Sequence, residues 1–278
     1  MLSDGSYVGQ SVVLGERVAI GRNAVVDGEI TLSDGVIVGH GAVIEGRYEI
    51  GEGTVIGHHT VLLGTGLIGR ANQIGPHCTI GTPAQRHEGP EPGGEVIIGS
   101  NNTIREYTTI HQPFETTETR IGDDCYMMAY CHIAHDDIIH NNVILANQTI
   151  LGGSVTVEDY AHLGFGVLVH QFCQIGAYCM VEMGGVVFRD VLPFVMMVDQ
   201  SIYKLNLIGL SRRGVSQSDI QAISSLYQRF RPSYLCEDDT WYGRIISNFC
   251  KRSTKGYYFP DIDWQEPSKH EHRRKDGY

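Results

Sequence analysis

One register governs the first two thirds of this chain. Every sixth residue from Val8 is aliphatic, through Leu14, Ile20, Val26 and onward without exception to Ile80. The register returns at Ile98, Ile104 and Ile110, then runs unbroken from Ile121 through Ile133, Leu151 and Val169 to Val187. Apolar residues make up 42% of the chain, so unbroken runs of this length exclude chance. The residue after each aliphatic is often Gly, as at Gly9, Gly15, Gly21, Gly39 and Gly51. The fourth position after it is small or β-branched: Val12, Ala24, Ala42, Thr54, Thr60, Cys78, Cys125, Cys131, Thr149, Ala161.

A period of six is the hexapeptide signature of a parallel β-helix. Each hexad is a short strand plus a corner, and three hexads close one triangular coil of 18 residues. Residues 18 apart therefore stack one strand spacing apart, about 4.8 Å. The hexapeptide class is known as left-handed, against the usual right-handed rule for parallel crossovers. The expected fold is an all-β solenoid plus α: a left-handed parallel β-helix with a C-terminal helical domain.

The boundaries follow from composition. Residues 1–190 carry 8 Arg, no Lys and 22 Asp plus Glu; the remainder carries 13 Lys plus Arg against 10 Asp plus Glu. Of 34 Gly, 29 precede residue 190. The β-helix is expected over 1–192, a helical domain over 193–260 and a polar tail over 261–278. Breaks in the hexad register predict expelled loops at 82–97 and 112–120. Ile220, Ile223, Leu226, Tyr227 and Phe230 have helical spacing. Ser216 with Asp219 reads as a capping box, and Pro232 as that helix's end. A second helix is expected over 237–252, with Trp241, Ile245, Ile246 and Phe249 on its apolar face. Cys78, Cys125, Cys131, Cys173 and Cys179 fall on the small inward position, where they serve as core residues.

A net charge of −11 argues against a general nucleic-acid binder. No apolar run reaches the ~20 residues of a membrane span. The first residues show neither a basic segment nor a hydrophobic stretch, so no secretory signal is read and a cytoplasmic location is expected.

Histidine carries the chemistry. The segment Tyr130-Cys131-His132-Ile133-Ala134-His135-Asp136-Asp137 puts two His and two Asp close together, and neither His falls on the inward aliphatic position. The register gathers His135, Gly153, His170 and Gln171 into one stripe. An outward His, a neighbouring carboxylate and a facing Gly N–H suit acyl transfer. His takes the proton of an attacking hydroxyl, Asp fixes the tautomer and the Gly N–H meets the oxyanion. A rival reading uses His135 and His140 as zinc ligands, with a third from His111, His132 or His162. Three His plus water is an open catalytic zinc site, as in carbonic anhydrase-like hexapeptide proteins. A scaffold without activity is a third class.

From Gly51 to Ser216 the chain resembles the UDP-N-acetylglucosamine O-acyltransferases that start lipid A biosynthesis. The matching strings are IGEGTV at 50–55, IGTPAQ at 80–85, IRE at 104–106, TIH at 109–111, HIAHD at 132–136, ILAN at 144–147, VHQF at 169–172, IGA at 175–177 and LSRRGVS at 210–216; KRSTKG at 251–256 is similar to the family's C-terminal end. The resemblance implies a homotrimer with active sites between subunits. It implies transfer of a 3-hydroxyacyl group from acyl carrier protein to the sugar 3-hydroxyl. No cofactor of the enzyme's own is implied, the acyl group riding on the carrier's phosphopantetheine. His135 matches the general base, Asp136 its orienting partner and Gly153 the oxyanion donor. Gln85, His132, His170 and Gln171 match substrate contacts, and Asn206, Arg212 and Arg213 match residues holding the nucleotide from the adjacent subunit. Two adjacent Arg suit a diphosphate. Met183 aligns with the acyl-length ruler, Gly in long-chain enzymes, and its bulk predicts a medium chain. Ser154, Arg86 and Ile208 depart from the family's His, Asp and Glu, which opens the acceptor to a variant UDP-sugar such as a 3-amino form. The basic C-terminal region offers an acidic carrier protein an electrostatic approach.

Overall fold

The computed structural model describes residues 3–87, 93–229 and 239–258. Short parallel strands recur at the hexad spacing from Tyr7–Val8 to Val186–Val187 and stack with an offset of 18 residues, as in Ile138↔Thr156 and Ile144↔His162. The solenoid makes about ten turns. Three faces result. Face I carries Thr109–His111, His132–Ile133, Ile150–Leu151, Leu168–Val169 and Val186–Val187. Face II carries Glu118–Ile121, Ile138–Ile139, Thr156–Val157 and Gln174–Ile175. Face III carries Tyr126–Met127, Ile144–Leu145, His162–Leu163 and Met180–Val181.

The sixth-residue aliphatics are the core. Ile44, Leu62, Ile110, Ile133, Leu145, Leu163 and Val181 are fully buried. Each such burial is worth about 1.5–3 kcal/mol before ordering costs. Truncating one, Leu145→Ala, would cost about 2–5 kcal/mol because the stacked neighbours cannot collapse into the gap. The five inward cysteines are buried free thiols. Burial pushes Cys78 up to about 11 and Cys125, Cys131 and Cys173 up to about 12, so they remain protonated core residues.

Two local features depart from the regular coil. In the lower coils Val25–Leu32, Val43–Ile50 and Val61–Ile68 run as single eight-residue strands round the corner between faces I and II. Gly28 and Gly46 turn that corner at φ +116° and +115°, where an added Cβ would strike the backbone of the next coil. The expelled loops leave at this same corner. Thr79–Thr82 and Glu95–Ile98 are strands, as are Thr109–His111 and Glu118–Ile121. Strands thus resume at Glu95 and Glu118, before the breaks expected at 82–97 and 112–120 end, because strand pairing resumes before the aliphatic spacing does.

The segment after residue 192, where helices were expected from Gln217 on, begins with an antiparallel hairpin, Val195–Val198 with Ser201–Leu205, added to face III. Among the described residues three helices follow: α1 (Leu207–Arg212), α2 (Gln217–Arg229) and α3 (Trp241–Arg252). Ser216 Oγ accepts from Asp219 N at 3.1 Å, capping α2, and Thr240 caps α3. Phe194, Leu210, Ile223, Tyr227, Ile246 and Phe249 continue the solenoid core, closing an end that would otherwise expose strand edges. Arg252 pairs with Glu158, and Ser253 Oγ donates to Asp190 Oδ2 at 2.6 Å, tying α3 to the coil. The helix end at Pro232, the expected start at 237 and the 261–278 tail lie outside the described residues.

Candidate active site

The corner between faces I and II holds the chemical cluster. His135 and Asp136 form its two turn residues, Asp136 at φ +64°. His135 Nδ1 and Asp136 Oδ2 are 2.6 Å apart. With Nδ1–H donating, Nε2 is left as a proton acceptor.

The second expelled loop explains the state of Asp136. Its carboxylate accepts from the backbone N–H of Phe114 (3.0 Å), Glu115 (3.0 Å) and Thr116 (2.8 Å), and from Thr116 Oγ1 (2.7 Å). Asp136 N in turn donates to Thr119 Oγ1 at 2.9 Å. Burial alone would raise this carboxyl. The hydrogen bonds from His135, Thr116 and Glu115 outweigh it and hold the group down at about 2. Asp136 is thus a fixed anion beside the imidazole.

One coil up, Gly153 lies against the His135 ring. A Cβ built there would stand 2.5 Å from His135 Cε1 and 2.6 Å from Nε2. Ser154 N, at φ +62°, donates to His135 O at 3.0 Å, and Phe172 N to Gly153 O at 3.0 Å, so coil-to-coil bonds hold this column in line. Elsewhere a corner side chain accepts from the N–H one coil below, as Asn141 does for Asp123 and Asp159 for Asn141. Among the described residues the Gly153 N–H makes no such bond.

Two further imidazoles lie near His135. His132 Nδ1 is 2.7 Å from Thr109 Oγ1, and its ring meets His111 edge-on at 4.8 Å. Burial, with His132 and His135 nearby, lowers His111 to about 4; burial and His135 lower His132. Among the described residues His111 Nδ1 is buried without a hydrogen-bond partner. His170 and Gln171 are exposed at the same corner two coils above His135. Gln85 is exposed on the first loop. Its neighbour Arg86 pairs with Glu115 at 2.6 Å and lies 4.1 Å over the Phe114 ring, so the first loop grips the second.

The nucleotide candidates sit elsewhere. A groove of about 610 Å³ on face III is lined by Tyr160, His162, Tyr178, Asn206, Arg212 and Arg213, among others. Asn206 is the N-cap of α1: its Oδ1 accepts from Gly209 N at 3.1 Å and its Nδ2 donates to Tyr178 O at 2.9 Å. Arg213 lies 5.3 Å over the Tyr160 ring, and Ile208 lines the groove. In a three-sided coil, face III is opposite the corner that carries His135. One chain therefore does not bring His135 together with Arg212 and Arg213.

Met183 is 69% exposed at the corner between faces III and I. Between it and His135, face I presents the outward apolar side chains of Ile150 and Leu168, with Phe165 beside Met183. His140, the rival zinc ligand, stands at the corner after His135, near Asp159 and Arg252. Among the described residues no group of three or more His, Cys, Asp or Glu is arranged to hold a metal.

Residues 190–238 match the family model described as Udp N-acetylglucosamine O-acyltransferase, domain 2. An acyl-[acyl-carrier-protein]--UDP-N-acetylglucosamine O-acyltransferase of Pseudomonas savastanoi pv. phaseolicola is 41% identical over 151 residues, 53% of this chain and 58% of that relative. The chain thus matches somewhat over half the length of such curated relatives. The Francisella novicida UDP-N-acetylglucosamine acyltransferase structure superposes with a TM-score of 0.81 at 25% identity, covering 100% of both chains. The Arabidopsis UDP-N-acetylglucosamine acyltransferase structure is 30% identical, with a TM-score of 0.66, covering 87% of this chain and 86% of that one. The chain belongs to the UDP-N-acetylglucosamine acyltransferase family. Within this family its fold is the left-handed parallel β-helix with a C-terminal helical piece.

The sequence did not reveal the amide nest over Asp136, since three of its four donors are backbone groups whose side chains are incidental. Nor did it reveal α1, too short for a periodic signal, or the Tyr160 and Tyr178 side chains that line the groove.

Proposed function

We propose that this protein transfers a 3-hydroxyacyl group from acyl carrier protein to the 3-position of UDP-N-acetylglucosamine, the first step of lipid A biosynthesis. The observation that carries the reading is the His135–Asp136 dyad beneath an unengaged Gly153 N–H. His135 Nε2 takes the proton of the sugar 3-hydroxyl as its oxygen attacks the thioester carbonyl. The carbonyl oxygen gains negative charge and meets the Gly153 N–H. The C–S bond then breaks, and the His135 imidazolium returns its proton to the departing thiolate. Asp136 keeps the imidazole in the productive tautomer and stabilises its charged form. The acyl group arrives on the carrier's phosphopantetheine, and no further cofactor or metal enters these steps.

His132, Gln85, His170 and Gln171 surround the acceptor and donor at this corner. The nucleotide is held by Asn206, Arg212 and Arg213 of a neighbouring subunit in a homotrimer. The opposed placement of His135 and the groove on one chain supports this. Asn206 acts there through the α1 cap it forms, since both ends of its amide are already engaged. The acyl chain runs over Ile150 and Leu168 toward Met183, whose exposed side chain limits it to a medium length. The compartment is the cytoplasm, where carrier protein and nucleotide sugar are met.

A second acceptor, a 3-amino UDP-sugar, is left open by the departures at Ser154, Ile208 and Arg86. Arg86 stands where the family has Asp, and its cation is turned onto Glu115 rather than left to bind sugar. The test is incubation of the purified protein with 3-hydroxyacyl carrier protein and each UDP-sugar. An alkali-labile ester marks the hydroxyl acceptor, and an alkali-stable amide the amino acceptor. His135→Ala should leave a folded protein with at most a trace of either product. Near-normal turnover in that variant overturns the mechanism.

A further inference from the structure

The coil-to-coil ladder is interrupted at one place in the upper solenoid, directly before the base. In hexad after hexad the residue following the inward aliphatic donates its N–H to the coil above. Met128 N bonds Leu145 O at 2.8 Å, Ala146 N bonds Leu163 O at 2.9 Å, Gly152 N bonds Val169 O at 2.9 Å, and His170 N bonds Val187 O at 2.8 Å. The matching donor before His135 is Ala134 N. It does not reach Leu151 O; it turns inward to Asp137 Oδ2 at 2.9 Å. Pairing is correspondingly shortened, with His132↔Ile150 alone registered between these two coils, whereas the next pair up registers both Ile150↔Leu168 and Leu151↔Val169.

Asp137 also reaches the coil above. Its Oδ1 accepts from Val155 N at 2.8 Å, two residues beyond Gly153. One fully buried carboxyl thus holds both the turn that carries His135 and the turn that carries Gly153. The fold does not require a carboxyl there. Thr119, Val155 and Cys173 occupy the same inward column one coil below, one above and two above, all fully buried. A carboxyl placed in such a site carries a desolvation cost that Val or Cys does not. Burial accordingly raises the Asp137 carboxyl well above its ordinary range.

We propose that Asp137 is a positioning residue for acyl transfer: it draws the His135 turn off the ladder and fixes it against the Gly153 turn. This rests on the reading of His135 and Gly153 as base and oxyanion donor. Catalytic groups must be held to within about 0.5 Å of their working geometry, and peptide orientation at Ala134 sets where the next side chain points.

The test uses Asp137→Val and Asp137→Thr, side chains that the same column already accommodates. Both are expected to fold with thermal stability no lower than the parent. Their kcat is expected to fall about 10- to 100-fold while KM for both substrates stays within about threefold. Crystal structures of the variants should show Ala134 N returned to Leu151 O and the His135 ring displaced from Gly153. A kcat within threefold of the parent, an unmoved His135 ring, or unfolding of both variants overturns the proposal. If the parent protein transfers no acyl group, the functional reading fails by itself, and the crystallographic comparison decides the positioning role alone.

Discussion

Replacing Gly153 with Ala isolates the space that His135 needs in its proposed role as base. The built Cβ falls 2.5 Å from His135 Cε1, 2.6 Å from Nε2 and 3.0 Å from Nδ1, against ordinary contacts that begin at 3.4 Å. The imidazole must therefore retreat by about 0.9 Å, and misplacement of about 1 Å is worth about a hundredfold in rate. The ring cannot swing freely, because its 2.6 Å bond ends on a carboxylate that the second loop also grips. Breaking a hydrogen bond to a charged group costs about 1.5–3 kcal/mol. The backbone itself accepts Ala, since Gly153 is not among the positive-φ residues, and His135 and Gln171 carry side chains in the same column. The substitution also keeps the Gly153 N–H, so any loss reports the displaced ring rather than a missing oxyanion donor. Steady-state kinetics should show kcat down about a hundredfold, with KM for the nucleotide sugar within about threefold and an unchanged oligomer on gel filtration. A kcat within threefold of the parent would refute the reasoning, because the ring would then be free to work elsewhere.

Three further outcomes follow from the same geometry. Asp136 has a folded-state value of about 2 against an ordinary 3.8, so its ionised form contributes about 2–3 kcal/mol at neutral pH. That contribution is present above about pH 4 and lost as pH falls toward 2; denaturant unfolding of Asp136→Asn and the parent should differ by this amount at pH 7 and converge at pH 2. The double substitution Arg212→Ala, Arg213→Ala should raise KM for the UDP-sugar about a hundredfold by removing charge-assisted bonds to the diphosphate, with kcat within about threefold; an unchanged KM removes the groove from the site. Met183→Gly should shift the preferred donor toward longer acyl chains in a carrier-protein assay, and an unchanged preference would show that the ruler lies elsewhere.

The solenoid was legible because its rule is local and repeated: an aliphatic at every sixth residue leaves no other way to bury Ile133, Leu151 and Val169 on one axis. The column His135, Gly153, Gln171 followed from the same arithmetic. What escaped was set by contacts the period does not encode. The loop after His111 folds back so that its amides meet Asp136, and no side-chain pattern announces that. The Val195–Val198 hairpin carried no signal, since a strand added to face III needs no hexad register. The spacing puts Asp137 on the small inward position, but its bonds to Ala134 N and Val155 N are contacts the period does not encode. Asn206 fell on the nucleotide set by resemblance, and the structure adds that its amide is spent on capping α1.

The proposed site is shared between chains, with His135 from one subunit and Arg212 and Arg213 from the next. Co-refolding His135→Ala with the Arg212→Ala, Arg213→Ala double variant at equal amounts measures this directly. Each variant alone should be nearly inactive at subsaturating UDP-sugar, while random mixing in a cyclic trimer leaves about a quarter of the sites with both halves intact. Recovery of about a quarter of parental acyl transfer is the predicted result. A mixture no more active than the two variants measured apart would contradict it.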